Sequence, residues 1–191
     1  MMIEPGTALL ALWNDVDPAL DADYNVWHAA EHVPERLSVP GILWGRRYGR
    51  AGSGGPRYLT LYGLRAAEVL ESDAYQRLLR EPTPASRRMR PALTNVSRWV
   101  CTLNQATGLE RGSRLATWTA DAADAGAAFA RLATFPETHG RLVAERLPQA
   151  RALPWLQAGQ TQAIDGDWLI AVTTDAPGPV GAAVYERLAV G

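Results

Sequence analysis

Leu10-Ala11-Leu12-Trp13 recurs later in the chain as Leu115-Ala116-Thr117-Trp118, and this repeat decides the fold. Three more pairs of short segments follow in the same order, each at a spacing of 110 residues. The paired segments are 33–37 with 143–147, 58–61 with 168–171, and 74–78 with 184–188. Four matches in one order predict an internal duplication.

The first copy of the repeat is predicted to contain a strand, a helix, two consecutive strands, a second helical region and a last strand. Its apolar segment at 7–15 predicts a strand, and Asp17-Pro18 predicts a helix start with proline at the first helical position. We expect this helix to reach Val33 and to kink at Pro34, which lacks a backbone donor. The remaining elements are predicted as strands at 42–49 and 57–64, helical stretches at 66–79 and 84–90, and a strand at 93–103.

The second copy is expected to follow the same order. The repeat predicts strands at 114–119, 152–157 and 168–174, helices at 122–147 and 180–188, and no last strand. The resulting βαββαβ order is the ferredoxin-like motif, an antiparallel sheet with helices on one face. The predicted fold class is therefore α+β, with two tandem ferredoxin-like halves at 1–106 and 113–191. Their bare sheet faces are expected to meet in a barrel-like contact, with the helices outside.

The composition excludes several classes of function. All 19 cationic side chains are arginine, and the absence of lysine rules out Schiff-base chemistry and a phosphate-binding P-loop lysine. A net charge of −1 and a pI near 6.3 provide no basic surface for nucleic acid. No apolar run is long enough to span a membrane. The single cysteine, Cys101, and a start without a basic leader predict a cytoplasmic protein.

A motif in the first predicted helix carries a family resemblance. Trp27-His28-Ala29-Ala30-Glu31-His32-Val33-Pro34-Glu35-Arg36 is followed by Pro40-Gly41 and Gly45-Arg46-Arg47-Tyr48. This order resembles the EthD-like branch of the dimeric α+β barrel superfamily, here with both halves in one chain. The resemblance implies cofactor-independent oxygenase, isomerase or decarboxylase chemistry on aromatic or polyketide-like compounds, although the superfamily also includes haem enzymes. It also implies that His32 faces a pocket between helix and sheet.

The helical spacing of this segment places a carboxylate among apolar side chains. At 100° per residue, Tyr24, Trp27 and Glu31 share a stripe, with His28 about 60° and His32 about 100° from its centre. A buried carboxylate needs a partner or a raised pKa. One interpretation is therefore structural: Glu31 forms an ion pair with Arg46 or Arg47, and both histidines lie at the rim without a role.

The competing interpretation is catalytic. Histidine suits proton transfer near neutral pH, and a neighbouring carboxylate can orient its ring. In this hypothesis His32 moves the proton and Glu31 or His28 orients it. The substrate pocket is expected to be formed by Trp13, Trp27, Trp44, Arg47, Tyr48 and Tyr62. The function predicted is a cofactor-independent enzyme acting on a small hydrophobic or aromatic carbonyl compound, with a non-catalytic small-molecule binder or scaffold as the alternative.

Other motifs give weaker indications. His28-Ala29-Ala30-Glu31-His32 matches the H-x-x-E-H pattern of zinc peptidases, but no downstream acidic residue stands out as a third ligand, so no metal or other cofactor is expected. His139 is the candidate for a haem ligand, and an exposed or structural role is favoured for it. Arg87-Arg88-Met89-Arg90 is interpreted as a solvated helix face. A small-molecule ligand is the expected partner, bound by a monomer or a homodimer.

Overall fold

The strands of the described residues form one closed antiparallel barrel. The computed structural model describes residues 4–50, 54–135, 138–148 and 152–190, and the side chains of Arg131 and Thr134 are outside this description. The strands are β1 (Ala8–Val16), β2 (Ile42–Gly49), β3 (Tyr58–Leu64), β4 (Leu93–Thr107), β5 (Arg114–Ala120), β6 (Gly140–Arg146), β7 (Trp168–Thr174) and β8 (Ala183–Leu188). The α-helices are α1 (Asp21–Trp27), α2 (Val33–Leu37), α3 (Asp73–Arg80), α4 (Pro84–Met89) and α5 (Ala125–Thr134).

The strand order around the barrel is β1-β3-β2-β8-β5-β7-β6-β4. Strands β1–β4 therefore follow the ferredoxin-like order, with β1 between β3 and β4, and β5–β8 follow it again, with β5 between β7 and β8. The two sets join where β2 pairs with β8 and where β4 pairs with β6. The predicted fold class, an α+β barrel from two ferredoxin-like sheets in one chain, is confirmed. The division at 1–106 and 113–191 stays a prediction.

Alternation along the strands separates two apolar layers. On β1, Leu9, Ala11 and Trp13 point into the barrel, where they pack with Trp99 and Leu115. Residues on the opposite face, such as Leu10, pack against helices outside the barrel. Helices α1–α4 cover the first strand set, whereas α5 lies on the second. The candidate site residues of the first helix therefore lie outside the barrel. In the described residues, no helix is both long and apolar enough to cross a membrane.

The end of the second strand set differs from the prediction. Residues 183–188 form strand β8, so the predicted helix at 180–188 is wrong, and the last strand, which was expected to be missing, is present. What the described residues lack at this place is a helix between β7 and β8. The physical reason is pairing on both sides: Tyr185 is registered with Leu115 of β5, and Arg187 with Tyr48 of β2. Hydrogen bonding to two neighbours overrides the helical spacing of this short segment.

Residues 122–164 also depart from the prediction. The helix expected at 122–147 ends at Thr134, and β6 follows at Gly140–Arg146. The strand expected at 152–157 is absent, because 152–164 forms an irregular segment with one 3₁₀ turn at Ala158–Gln160. Consequently two of the four sequence matches pair a helix with a strand: 33–37 lies in α2 but 143–147 in β6, and 74–78 lies in α3 but 184–188 in β8. The other two matches join β1 to β5 and β3 to β7.

Two glycines allow a test of the barrel packing. A Cβ at Gly63 would lie 2.0 Å from the indole nitrogen of Trp44, a buried side chain whose Nε1 donates to the Pro5 carbonyl at 3.2 Å. We expect Gly63→Ala to destabilise the protein by about 1–3 kcal/mol through overpacking. Gly126 in α5 has no atom within 4 Å of its ideal Cβ, so Gly126→Ala should stabilise by about 0.5–1 kcal/mol. Urea denaturation would measure both, and an unaffected Gly63→Ala protein would contradict this account of the packing.

Candidate functional site

The two histidines of the first helix lie at the two ends of a wide helical turn. Residues His28–His32 form a π-helical turn between α1 and α2, in which the Val33 amide donates to the His28 carbonyl. Pro34, the next residue, lacks an amide donor and its ring crowds the carbonyl four residues earlier, and both effects disfavour a regular α-helix here. The helix thus continues through Pro34 by widening. This change of phase moves His28 and His32 away from the positions that a regular helical wheel assigns to them.

The imidazoles of His28 and His32 lie against one another, with ring centroids 4.8 Å apart. The Tyr24 ring lies 5.1 Å from His28, and the Trp27 ring lies 4.6 Å from His32. His28 is buried and His32 is partly exposed, but the Nδ1 atom of each is buried without a hydrogen-bond partner among the described residues. Burial and nearby arginines hold the pKa of both histidines well below the usual value, so both are neutral at pH 7. The structural interpretation placed both histidines at the rim, whereas the side chain of His28 is buried.

A small cavity lies beside this histidine pair. Its volume is about 40 Å³, room for roughly three water molecules. It is bounded by the outer face of β1 and β4, by the first helix and by a segment that follows β6. The lining residues are Leu12, Trp13, Asn14, Tyr24, Trp27, His28, His32, Arg90, Leu93, Val96 and Trp155.

Three buried arginines lie near the two histidines, and Arg90 also lines the cavity. Arg36, Arg47 and Arg90 are 5%, 4% and 8% exposed. Their hydrogen bonds run to neutral acceptors: Arg47 to Asn25 Oδ1 at 2.8 Å and the Ala189 carbonyl at 3.0 Å, and Arg90 to the carbonyls of Leu78 and Leu79, both at 2.9 Å. Arg36 has one carboxylate contact, with Glu35 at 3.9 Å. Burial lowers the pKa of Arg90 to about 10, so Arg90 is cationic at pH 7, and burial also lowers the pKa of Arg47.

Glu31 does not contact the histidines through a hydrogen bond in the described residues. Its Oε1 accepts from Trp27 Nε1 at 3.2 Å and from the hydroxyl of Thr83, which also caps the start of α4. The ion pair with Arg46 or Arg47 that the sequence suggested is likewise not formed in this part of the chain. Glu31 therefore ties the first helix to α4 and holds the indole of Trp27 beside His32.

The sheet divides the predicted pocket residues between its two faces. Trp27, Arg47 and Tyr62 lie on the helix side: Tyr62 is buried with Val33, and Arg47 reaches Asn25 of α1. Trp44 and Tyr48 lie inside the barrel, together with most of Trp13, although Trp13 also borders the cavity. The structure therefore does not gather all the predicted walls around one pocket.

Several residues near the histidines were missed from sequence. Arg36 follows His32 at the i+4 spacing, and this spacing was an available signal. Arg90 belongs to the run interpreted as a solvated face; Arg87 and Arg88 are exposed as expected, but Arg90 is buried. Trp155 lies in a segment predicted as a strand, and no local signal places it near His32.

The remaining candidate groups do not assemble a metal site. Among the described residues, no three His, Cys, Asp or Glu side chains are close enough to hold a metal ion. His139 is exposed at the far end of β6, where its Nε2 lies 2.8 Å from Asp175 Oδ2. Cys101 is buried in the barrel, and burial raises its pKa to about 12, so it is a thiol at neutral pH.

Comparison with known proteins shows a similarity of fold. No protein-family profile and no curated protein matches the chain. An anthrone oxidase-like protein superposes with a TM-score of 0.57 at 15% identity, covering 91% of this chain and 74% of its own. A protein provisionally designated a chlorite dismutase gives a TM-score of 0.55 at 9% identity, covering 97% and 96%.

A third solved structure agrees. A protein from Lactobacillus acidophilus, provisionally designated a monooxygenase, superposes with a TM-score of 0.52 at 9% identity and covers 95% of this chain and 93% of its own. These neighbours are dimeric α+β barrel proteins. This chain therefore has the dimeric α+β barrel fold, with both strand sets supplied by one polypeptide.

Proposed function

We propose that this protein is a cofactor-independent enzyme that removes a proton from a small aromatic carbonyl compound beside His32. The observation that carries the proposal is the pair of neutral imidazoles, each with a buried Nδ1 atom, at a cavity between helix and sheet. A neutral imidazole can accept a proton at once, whereas an imidazolium cannot. His32 is assigned the proton transfer, and His28 supports its ring by direct contact.

In this proposal the arginines stabilise the anion that forms when the proton is removed. When His32 takes a proton from a carbon next to a carbonyl group or from a phenol, the electron pair stays on the substrate as an enolate or phenolate. Arg36, Arg47 and Arg90 hold buried positive charge near this anion, and fixed charges in a dry site stabilise a developing charge strongly. The same anion is the first intermediate of isomerisation and of oxygenation by dioxygen.

The solved neighbours favour the oxidative version of this reaction. Two of the three are described as an anthrone oxidase-like protein and a monooxygenase. We assign the chain to the EthD-like branch on the motif around His32, and we take anthrone as the first compound to assay. The expected partner is a small-molecule ligand.

A non-catalytic binder is the second candidate. One observation favours it: the cavity of about 40 Å³ is much smaller than a fused aromatic compound. A binder would need the cavity to open but would not need His32 as a base. Replacement of His32 therefore distinguishes the two functions, because only the enzyme needs His32 as a base.

Replacing His32 should remove turnover. We expect His32→Gln to lower kcat for anthrone oxidation, or for deuterium uptake by aromatic ketones in D₂O, by about 100-fold or more, because general bases contribute about that factor. His139→Gln is the matched control, since His139 is exposed and distant from the cavity, and it should keep full activity. Oxygen consumption and absorbance would follow the first reaction, and NMR the second. Activity of His32→Gln within threefold of the parent would refute the assignment.

The lowered histidine pKa values also predict acid sensitivity of the fold. Above pH 6.5 the histidines are neutral in both folded and unfolded chains, so their contribution to stability is fully present. As pH falls below 6.5, the two histidines become protonated in the unfolded chain but stay neutral in the folded chain. The free energy of unfolding therefore falls by about 1.4 kcal/mol per histidine per pH unit. We therefore expect the free energy of unfolding to be up to about 3 kcal/mol lower at pH 5.5 than at pH 7.5.

Variants isolate this effect from other titrations. Glu35 acts in the opposite direction at lower pH, because burial raises its pKa, so the comparison is between proteins rather than between absolute values. The pH dependence of the urea unfolding free energy should be roughly halved in His32→Gln relative to the parent protein. An identical pH dependence in the two proteins would show that His32 is not held neutral.

A further inference from the structure

A segment contributed by the second strand set covers the cavity. Residues 152–164, here termed the strap, lie between β6 and β7 in the sequence and pack on the first strand set. The strap is fixed to β4, because the Gln162 amide donates to the Val96 carbonyl at 3.1 Å and Thr161 bridges to Val96. Leu153 is buried in the same apolar cluster as Val33 of α2. The strap thus closes a site whose histidines lie on the first helix.

Trp155 of the strap occupies a central position in this closure. Its ring centroid lies 5.2 Å from the guanidinium carbon of Arg90, and its side chain lines the cavity with His28 and His32. The Trp155 Nε1 is buried and has no hydrogen-bond partner in the described residues. A buried indole normally finds an acceptor for this group, so the position is not optimised for an indole. The position of Trp155 can therefore accommodate a flat ring next to the Arg90 guanidinium.

The Gln160 side chain provides a further attachment of the strap beside Trp155. Gln160 Nε2 donates to the carbonyls of Arg90 at 2.9 Å and Leu93 at 2.8 Å, while its Oε1 accepts from the Gln157 amide at 3.0 Å. These contacts join the 3₁₀ turn of the strap to the start of β4. Apart from them, the strap contains few regular hydrogen bonds, so its release costs less than unpairing a barrel strand.

We propose that Trp155 is an internal stand-in for the ligand, and that the site takes a planar aromatic anion whose ring replaces the indole over Arg90. The inference rests on the proposed function for the location of the active site, but its binding test does not require turnover. We infer an aromatic ring in the ligand because the indole of Trp155 occupies the position that the ligand would take. The negative charge is assigned by the three buried arginines, whose hydrogen bonds go mainly to neutral oxygens.

Replacement of the indole explains how a ligand larger than the cavity can enter. The cavity of about 40 Å³ holds no aromatic ring while Trp155 is in place. An internal competitor lowers the apparent affinity for a ligand by the fraction of molecules in which it has moved away. Removal of the competitor should therefore tighten binding, which is the opposite of what removal of a pocket wall would do.

Binding of 2-naphthoate and of its neutral isostere 2-naphthamide tests the proposal. We expect Trp155→Ala to bind 2-naphthoate at least about tenfold more tightly than the parent protein, measured by isothermal titration calorimetry. Trp155→Ala should bind 2-naphthamide at least about tenfold more weakly than 2-naphthoate, because the amide leaves the arginines without an anion. Trp118→Ala is the matched control: its Nε1 is also buried and unpartnered, but it lies by α5, and its affinity should equal that of the parent.

The outcomes separate clearly. Unchanged or weaker binding of 2-naphthoate by Trp155→Ala, or no binding by any of the proteins, overturns the proposal. Equal binding of the acid and the amide overturns the anionic class. If Trp155→Ala does not fold by circular dichroism, Gln160→Ala frees the strap with the indole intact and should tighten binding by about threefold. The same titrations in a His32→Gln background should show the same tightening, so a failure of the proton-transfer function leaves this result interpretable.

Discussion

Closure of the barrel depends on a short seam between β2 and β8, and the site depends on that seam. The registered pairs are Arg47 with Leu188, Tyr48 with Arg187, and Gly49 with Glu186. Just beyond the seam, the Ala189 carbonyl accepts from Arg47, whose other hydrogen bond goes to Asn25 of α1. A guanidinium of the first strand set is thus held partly by the last residues of the chain. The second strand set and its connections therefore contribute to the site in two places: the Ala189 carbonyl binds Arg47, and Trp155 of the strap lines the cavity.

The sequence predicted the first strand set well because its signals were local. Proline and glycine mark the ends of its elements, and β2 and β3 begin and end within one residue of the predicted bounds. The second strand set was predicted by extending one spacing along the whole chain. Its connections differ in length from those of the first set, so the matches at 143–147 and 184–188 compared a strand with a helix. Whether 184–188 forms a strand is decided by β2 and β5 on either side, which no short sequence window contains.

The site was predicted in part for a related reason. The motif indicated the helix and the two histidines that border the cavity, but a regular wheel of 100° per residue assumed an α-helix throughout. The π-turn at His28–His32 changes that geometry, and Glu31 bonds to Trp27 and Thr83 rather than to an imidazole. Arg90 and Trp155 approach the histidines from distant parts of the chain. Their contribution depends on tertiary packing alone, so sequence spacing could not reveal it.

The π-turn also has a consequence for how such a site could arise. A π-turn contains one residue more than an α-helical turn, so it is the structure expected when a single residue is inserted into a helix. In this chain the extra residue sets α1 and α2 out of phase, which lets Trp27 and Arg36 both be buried although they lie on either side of the turn. A one-residue insertion or deletion near the exposed Ala30 would therefore rotate the histidines relative to the sheet while leaving the barrel intact. The placement of the two imidazoles beside the sheet can thus change in a single indel event rather than through a series of substitutions.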